Sequence, residues 1–130
     1  MIIDTSALVA ILRNEGDASF YKAALQNAGP KYMAGPTYLE FCMVMIGQKG
    51  NVVKSELDQF LSELQINLRL FDENAAQVAV DAFLKYGKGR GHKAQLNFGD
   101  CISYAMSKTE LMPLLFKGDD FRLTDVDCAI

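Results

Sequence analysis

The chain has 130 residues, half of them hydrophobic and 22% charged, with a formal net charge of −3. That length suits a single domain, 1–130, with a sizeable core, and the balance is that of a globular protein rather than a disordered one. No apolar run is long enough to span a bilayer, no basic residue precedes the apolar start as a secretory signal requires, and the acidic balance excludes a strongly basic nucleic-acid coat; the expected location is the cytoplasm, with no membrane partner.

Hydrophobic periodicity and turn residues predict a strand over MIID, a helix over 5–13, a second helix over DASFYKAALQNA and a short strand at KYMA. A helix opened by Pro36 and Thr37 runs through YLEFCMVMI to Gly47. VVKSELDQFLSELQ follows as an amphipathic helix and INLRLF as a strand; ENAAQVAVDAFLKY is then a helix whose apolar stripe includes Ala76, Val80, Phe83 and Leu84. GKGRGHKAQLN is a loop, FGDCISYAMSKT a helix, MPLLFK a strand, and the tail LTDVDCAI an edge strand. Strands separated by helices, with apolar rather than alternating patterns, predict a three-layer α/β/α domain around a mainly parallel sheet. Ligands of such sheets sit outside the carboxyl ends of the strands, and Asp4 ends the first one.

Three acids stand alone in apolar surroundings. Asp4 is the only charge in MIIDTSALVAIL, Glu40 the only one between Tyr32 and Gln48, and Asp100 the only one between Ala94 and Ser107. Singly, each has an ordinary explanation: Asp4 and Asp100 as helix caps, Glu40 as the solvated residue of a buried helix. Together they are costly, because burying an isolated carboxylate without a cation or strong hydrogen bonds costs several kcal/mol. The GDDF turn after PLLFK adds Asp119 and Asp120 on the same rim, although Gly-Asp-Asp is also ordinary turn chemistry.

Cys42, Cys101 and Cys128 form no C-x-x-C pair, Cys42 and Cys101 read as buried thiols, and His92 is the only histidine. Convergent acids without histidine or cysteine ligands suit a hard cation, Mg²⁺ or Mn²⁺, and such an ion supports phosphoryl-transfer chemistry. Ser6 can hold one carboxylate in its rotamer, or simply be a first-turn serine. Lys85, Lys88, Arg90 and Lys93 lead directly into NFGD and can hold a polyanion's phosphates, or form a solvated face. Lys117 and Arg122 flank the GDDF turn and can assist.

The MIIDTSAL start, Glu40 in the third helix, YGKGRGHKAQLNFGDCISYA and the LLFKGDDFRLTDV ending resemble, in this order and over nearly the whole chain, the PIN-domain family and within it the VapC-type toxins of bacterial toxin–antitoxin pairs. The resemblance implies a PIN-like fold and a Mg²⁺- or Mn²⁺-dependent endoribonuclease that cuts structured RNA such as transfer or ribosomal RNA. It also implies silencing by a cognate VapB-like antitoxin, and homodimer formation. Asp4, Glu40 and Asp100 match the family's catalytic acids, with Asp4 and Asp100 on the metal and Glu40 orienting or deprotonating water. Asp119 or Asp120 is the fourth acid; Asp119 is preferred because Asp120, beside Phe121, can instead anchor the turn. Basic residues of the 85–93 segment would bind the RNA backbone.

Rival readings fit less well. Phosphate-handling enzymes of the haloacid-dehalogenase type need a second Asp two residues after the first, where Ser6 stands, and a receiver domain needs paired acids near its first strand. The alternative from another class is a PIN-like module that binds RNA or protein without catalysis. Metal dependence separates the two, since such a module would hold RNA equally well with the ion chelated.

Overall fold

A computed structural model describes residues 1–48 and 51–130. Strands β1 (Ile2–Ile3), β2 (Lys31–Ala34), β3 (Ile66–Arg69) and β4 (Leu114–Leu115) form one sheet in the order β3-β2-β1-β4. All of these pairings are parallel, with Ile2 opposite Tyr32 on one side and Leu114 on the other, and with Lys31 to Ala34 opposite Ile66 to Arg69. Because successive strand residues face opposite ways, Ile3 and Leu115 enter one core, and Ile2 and Leu114 the other. Helices α1 (Thr5–Leu12), α2 (Ala18–Asn27), α3 (Gly35–Ile46) and α4 (Lys54–Glu63) cover the first face. Helices α5 (Glu73–Tyr86) and α6 (Phe98–Glu110) cover the second, which completes the three layers expected of the sequence.

Local chemistry places the helix starts. The Asp4 side chain accepts from the Ser6 N–H at 2.9 Å and opens α1; Asp72 does the same for α5 through the Ala75 N–H, also at 2.9 Å. Pro36 lies in the first turn of α3, where its missing N–H costs nothing. Asn97 and Asp100 form a reciprocal capping box on α6, with Asn97 N–H to Asp100 Oδ2 at 2.8 Å and Asp100 N–H to Asn97 Oδ1 at 3.0 Å. Cys42 and Cys101 are buried in α3 and α6 as expected, while Cys128 is exposed.

Three expectations need correction. The tail does not form an edge strand: a 3₁₀ turn at Phe121–Leu123 is followed by a single bridge between Cys128 and Leu114. Besides the two backbone bonds of that bridge, side chains hold the tail, with the Tyr104 hydroxyl donating to Asp125 at 2.6 Å and Lys108 Nζ donating to the Asp125 carbonyl at 3.1 Å. The strand read over INLRLF is shorter and is the sheet's other edge, so only Ile66 is buried and Leu70 is 89% exposed. In α5 the stripe of Val80, Phe83 and Leu84 is exposed, and packing runs through Ala75, Ala82 and Tyr86, where the two alanines allow close approach to α6.

Candidate active site

The carboxyl ends of β1 and β4 and the starts of α3 and α6 meet on one rim of the sheet. Asp4 leaves β1 there, only 6% exposed, and hydrogen bonds rather than a cation hold its charge. Oδ2 accepts the Ser6 N–H at 2.9 Å and the Ser6 hydroxyl at 2.6 Å, and Oδ1 accepts the Ser103 hydroxyl at 2.6 Å. Ser6 Oγ in turn accepts the Lys117 backbone N–H at 2.9 Å, which ties the end of β4 to the same carboxylate.

Glu40 projects from α3 with its carboxylate against Gly99, the residue before Asp100. Burial pushes its pKa above the ordinary carboxylate value, the charges of Asp4 and Asp100 push it further, and a hydrogen bond from Thr5 pulls the other way. Asp100, fixed by its capping box, is pushed up to about 6: desolvation is the main cause, the Asn97 N–H opposes it, and the charges of Asp4 and Asp120 add to it. Asp4, Glu40 and Asp100 therefore form one negative pocket. None of the ion pairs among the described residues involves any of the three.

The donor set fits a divalent cation. A pocket in which the charge of Asp4 raises the pKa of both Glu40 and Asp100 gains from a positive charge. Among the described residues, no three His, Cys, Asp or Glu side chains are arranged to hold an ion between them. A hard divalent cation is commonly bound through one or two carboxylates and keeps its remaining waters, and Asp4 and Asp100 are the residues that would hold it.

The remaining sequence candidates are distributed unevenly. Asp119 turns to solvent, its side chain 94% exposed and 3.8 Å from Arg122 Nε. Asp120, also exposed, is the member of the pair whose charge is felt by Asp100. Lys117 Nζ binds Glu15 and Asp17, and Arg122 lies over the Phe116 ring as well as near Asp119, so the structure joins neither to the acids. Lys85 on α5 lies 3.9 Å from Asp125. Lys88, Arg90 and Lys93 are exposed on the loop that runs into Asn97 and carry no ion pair among the described residues.

Sequence reasoning missed Ser103, Gly99 and Thr5. The signal for Ser103 was its spacing: three residues after Asp100, it shares that residue's helix face. Gly99 and Thr5 adjoin Asp100 and Asp4, but only tertiary contact reveals that both meet Glu40. Beside Glu40 an apolar cleft opens between Pro36, Leu39, Met43, Val44, Phe98 and Ile102, with Phe98 84% exposed.

Comparison with known proteins places this arrangement. A family model described as PIN domain matches residues 1–127. Ribonuclease VapC28 of Mycobacterium tuberculosis is 42% identical over 130 residues, covering 100% of this chain and 98% of the relative. Ribonuclease VapC of Mycolicibacterium smegmatis is 46% identical over 126 residues, covering 97% of each. A solved toxin–antitoxin complex from Klebsiella pneumoniae shares the fold with a TM-score of 0.63 at 22% identity, over 92% of this chain and 88% of that one. Full-length identity to these ribonucleases, together with the acid-rimmed parallel sheet, shows that the chain belongs to the PIN-domain family and, within it, to the VapC ribonucleases.

Proposed function

We propose that this protein is a Mg²⁺- or Mn²⁺-dependent endoribonuclease of the VapC type that hydrolyses phosphodiester bonds in structured RNA such as transfer or ribosomal RNA. The observation that carries this reading is the convergence of Asp4, Glu40 and Asp100, from three separate elements, with no ion pair to any of them among the described residues. When bound, the divalent ion supplies neutralising charge to the phosphodiester and acidifies water.

Asp4 and Asp100 hold the ion. Glu40, its proton affinity raised by burial and by its two acidic neighbours, takes the proton of the attacking water; a base tuned towards neutrality does this better than an ordinary carboxylate. Asp120 is the better fourth acid, since its charge reaches Asp100 while Asp119 points away. Lys88, Arg90 and Lys93, with Lys85 behind them, hold the RNA backbone; such contacts position a polyanion without reading its sequence.

A cognate VapB-like antitoxin restrains the enzyme; its seat is not the apolar side of the 5–28 and 52–64 helices, where Leu8, Tyr21, Leu25, Leu57 and Leu61 are packed in the core. The chain works as a homodimer, for which the exposed Leu39, Met43, Val80, Phe83 and Phe98 offer an apolar face. Its place is the cytoplasm; no helix among the described residues is long and apolar enough to cross a membrane.

The test is cleavage of total bacterial RNA by the purified, antitoxin-free protein in Mg²⁺ or Mn²⁺ against EDTA, beside Asp100→Asn. Discrete fragments that require both the metal and the Asp100 carboxylate are expected. Intact RNA from folded, metal-supplied protein, or full activity in Asp100→Asn, overturns the reading.

A further inference from the structure

A carboxylate has two oxygens and about four lone-pair sites to offer. For Asp4 the partners can be counted atom by atom. Oδ2 receives two donors, the Ser6 N–H at 2.9 Å and the Ser6 hydroxyl at 2.6 Å. The direction of the second is settled by Lys117, whose backbone N–H donates to Ser6 Oγ at 2.9 Å and leaves the serine proton to point at Asp4. Oδ1 receives one donor among the described residues, the Ser103 hydroxyl at 2.6 Å. One lone pair of Oδ1 is left for a cation, and it sits on the oxygen that Ser103 holds.

Ser103 is itself an unusual donor. It lies inside α6 at 1% exposure, where a serine hydroxyl ordinarily returns to a carbonyl one turn back on its own helix. Here it reaches across 99 residues of sequence to Asp4 instead. It stands three residues after Asp100, so one face of α6 carries an acid of its own and the clamp on the acid of β1.

We infer that Ser103 is a positioning residue for the metal site: its hydroxyl fixes Oδ1 of Asp4, so that Asp4 takes a divalent cation through that single oxygen. The inference rests on the nuclease reading given above and deepens it. Hydrogen bonds to a ligating carboxylate orient it and tune its hold on the metal, and their loss commonly costs about 10–100-fold in affinity or activity.

The test measures Mn²⁺ binding by calorimetry for the wild type, Ser103→Ala and Ser103→Thr, with thermal melting in EDTA to follow the fold. Cleavage of total bacterial RNA is then titrated against Mn²⁺. Ser103→Ala removes one atom and adds none, and is expected to keep its melting transition while its Mn²⁺ Kd rises at least about tenfold. Its cleavage should need correspondingly more Mn²⁺ and recover at saturating metal, a shift that a merely structural role would not produce. Ser103→Thr, which keeps the hydroxyl, should bind more tightly than Ser103→Ala. An unchanged Kd and an unchanged Mn²⁺ midpoint in Ser103→Ala overturn the assignment while leaving the nuclease reading intact. A wild type that neither binds Mn²⁺ nor cuts RNA overturns that reading, and this inference falls with it.

Discussion

A methyl group on Gly99 would lie 2.3 Å from Oε2 of Glu40, inside any contact that two such atoms tolerate. The neighbour that must yield is the tip of a flexible side chain rather than backbone, so the clash is relieved by moving the carboxylate. Gly99→Ala is therefore expected to fold normally and to displace Glu40 from its working position. Misplacing a catalytic group by about 1 Å can cost about 100-fold, and a loss of about 10–100-fold in kcat/KM is expected here. In a Glu40→Ala background the same glycine substitution should cost nothing further, because the atom it displaces is gone; a double-mutant cycle of cleavage rates checks this.

The raised pKa of Asp100, about 6, makes a second prediction for the metal-free protein. An acid whose folded-state pKa lies above its unfolded value binds its proton more readily when folded. Its contribution to stability is thus complete below the unfolded value, near 3.8, and is lost as pH rises through about 6. In EDTA, Asp100→Asn should flatten this part of the pH dependence of melting and, at pH above about 7, melt no lower than wild type apart from what its altered capping box loses. A steeper decline in the mutant would contradict the shift.

The two turn acids are expected to separate cleanly. Asp120→Asn should lower the pKa of Asp100 and reduce cleavage by about tenfold, within the range for outer groups of a metal site. Asp119→Asn removes only a long, exposed ion pair with Arg122 and should leave cleavage close to wild type. Parallel kcat/KM measurements, with the Asp100 titration followed by NMR, decide between them.

Ser6 and Lys117 make a similar pair. Ser6→Ala removes the hydroxyl donor to Asp4 Oδ2 and the acceptor of the Lys117 N–H, so cleavage should fall by about tenfold. Lys117→Met keeps that N–H and loses only the ion pairs of Nζ with Glu15 and Asp17. It should cut RNA at close to the wild-type rate and melt a little lower, with the difference shrinking as salt is added.

The rim of acids was legible because Asp4, Glu40 and Asp100 each interrupt an apolar run, and the parallel sheet was legible because its strands carry no alternation. Asp100 caps α6 through Asn97 and also lies near enough to Asp4 and Glu40 for the charges to act on one another, so the capping explanation does not compete with the proposed one. Ser103 was hidden because serine is neutral in a hydrophobic pattern, so CISYAM reads as core with or without it. The outward stripe of α5 and the exposed edge of β3 were misleading for a related reason: periodicity shows that a helix or strand has an apolar side, and does not show which side is covered. The sequence preference for Asp119 rests on Phe121 standing beside Asp120, and the letters give no sign that the Asp119 side chain turns out to solvent beside Arg122.

The hydrogen bonds around Asp4 span the length of the chain, reaching Ser103 across 99 residues, while its companion Ser6 reaches Lys117 across 111. β1, which carries Asp4, gains its β4 neighbour only from Leu114 and Leu115. During synthesis, then, Asp4 emerges first with Ser6 beside it, and waits for Ser103 and the end of β4 until most of the chain has been added. The site proposed for RNA cleavage is therefore assembled only once Asp100, Ser103 and β4 have been added, and an unfinished chain carries Asp4 and Glu40 without the partners that complete it.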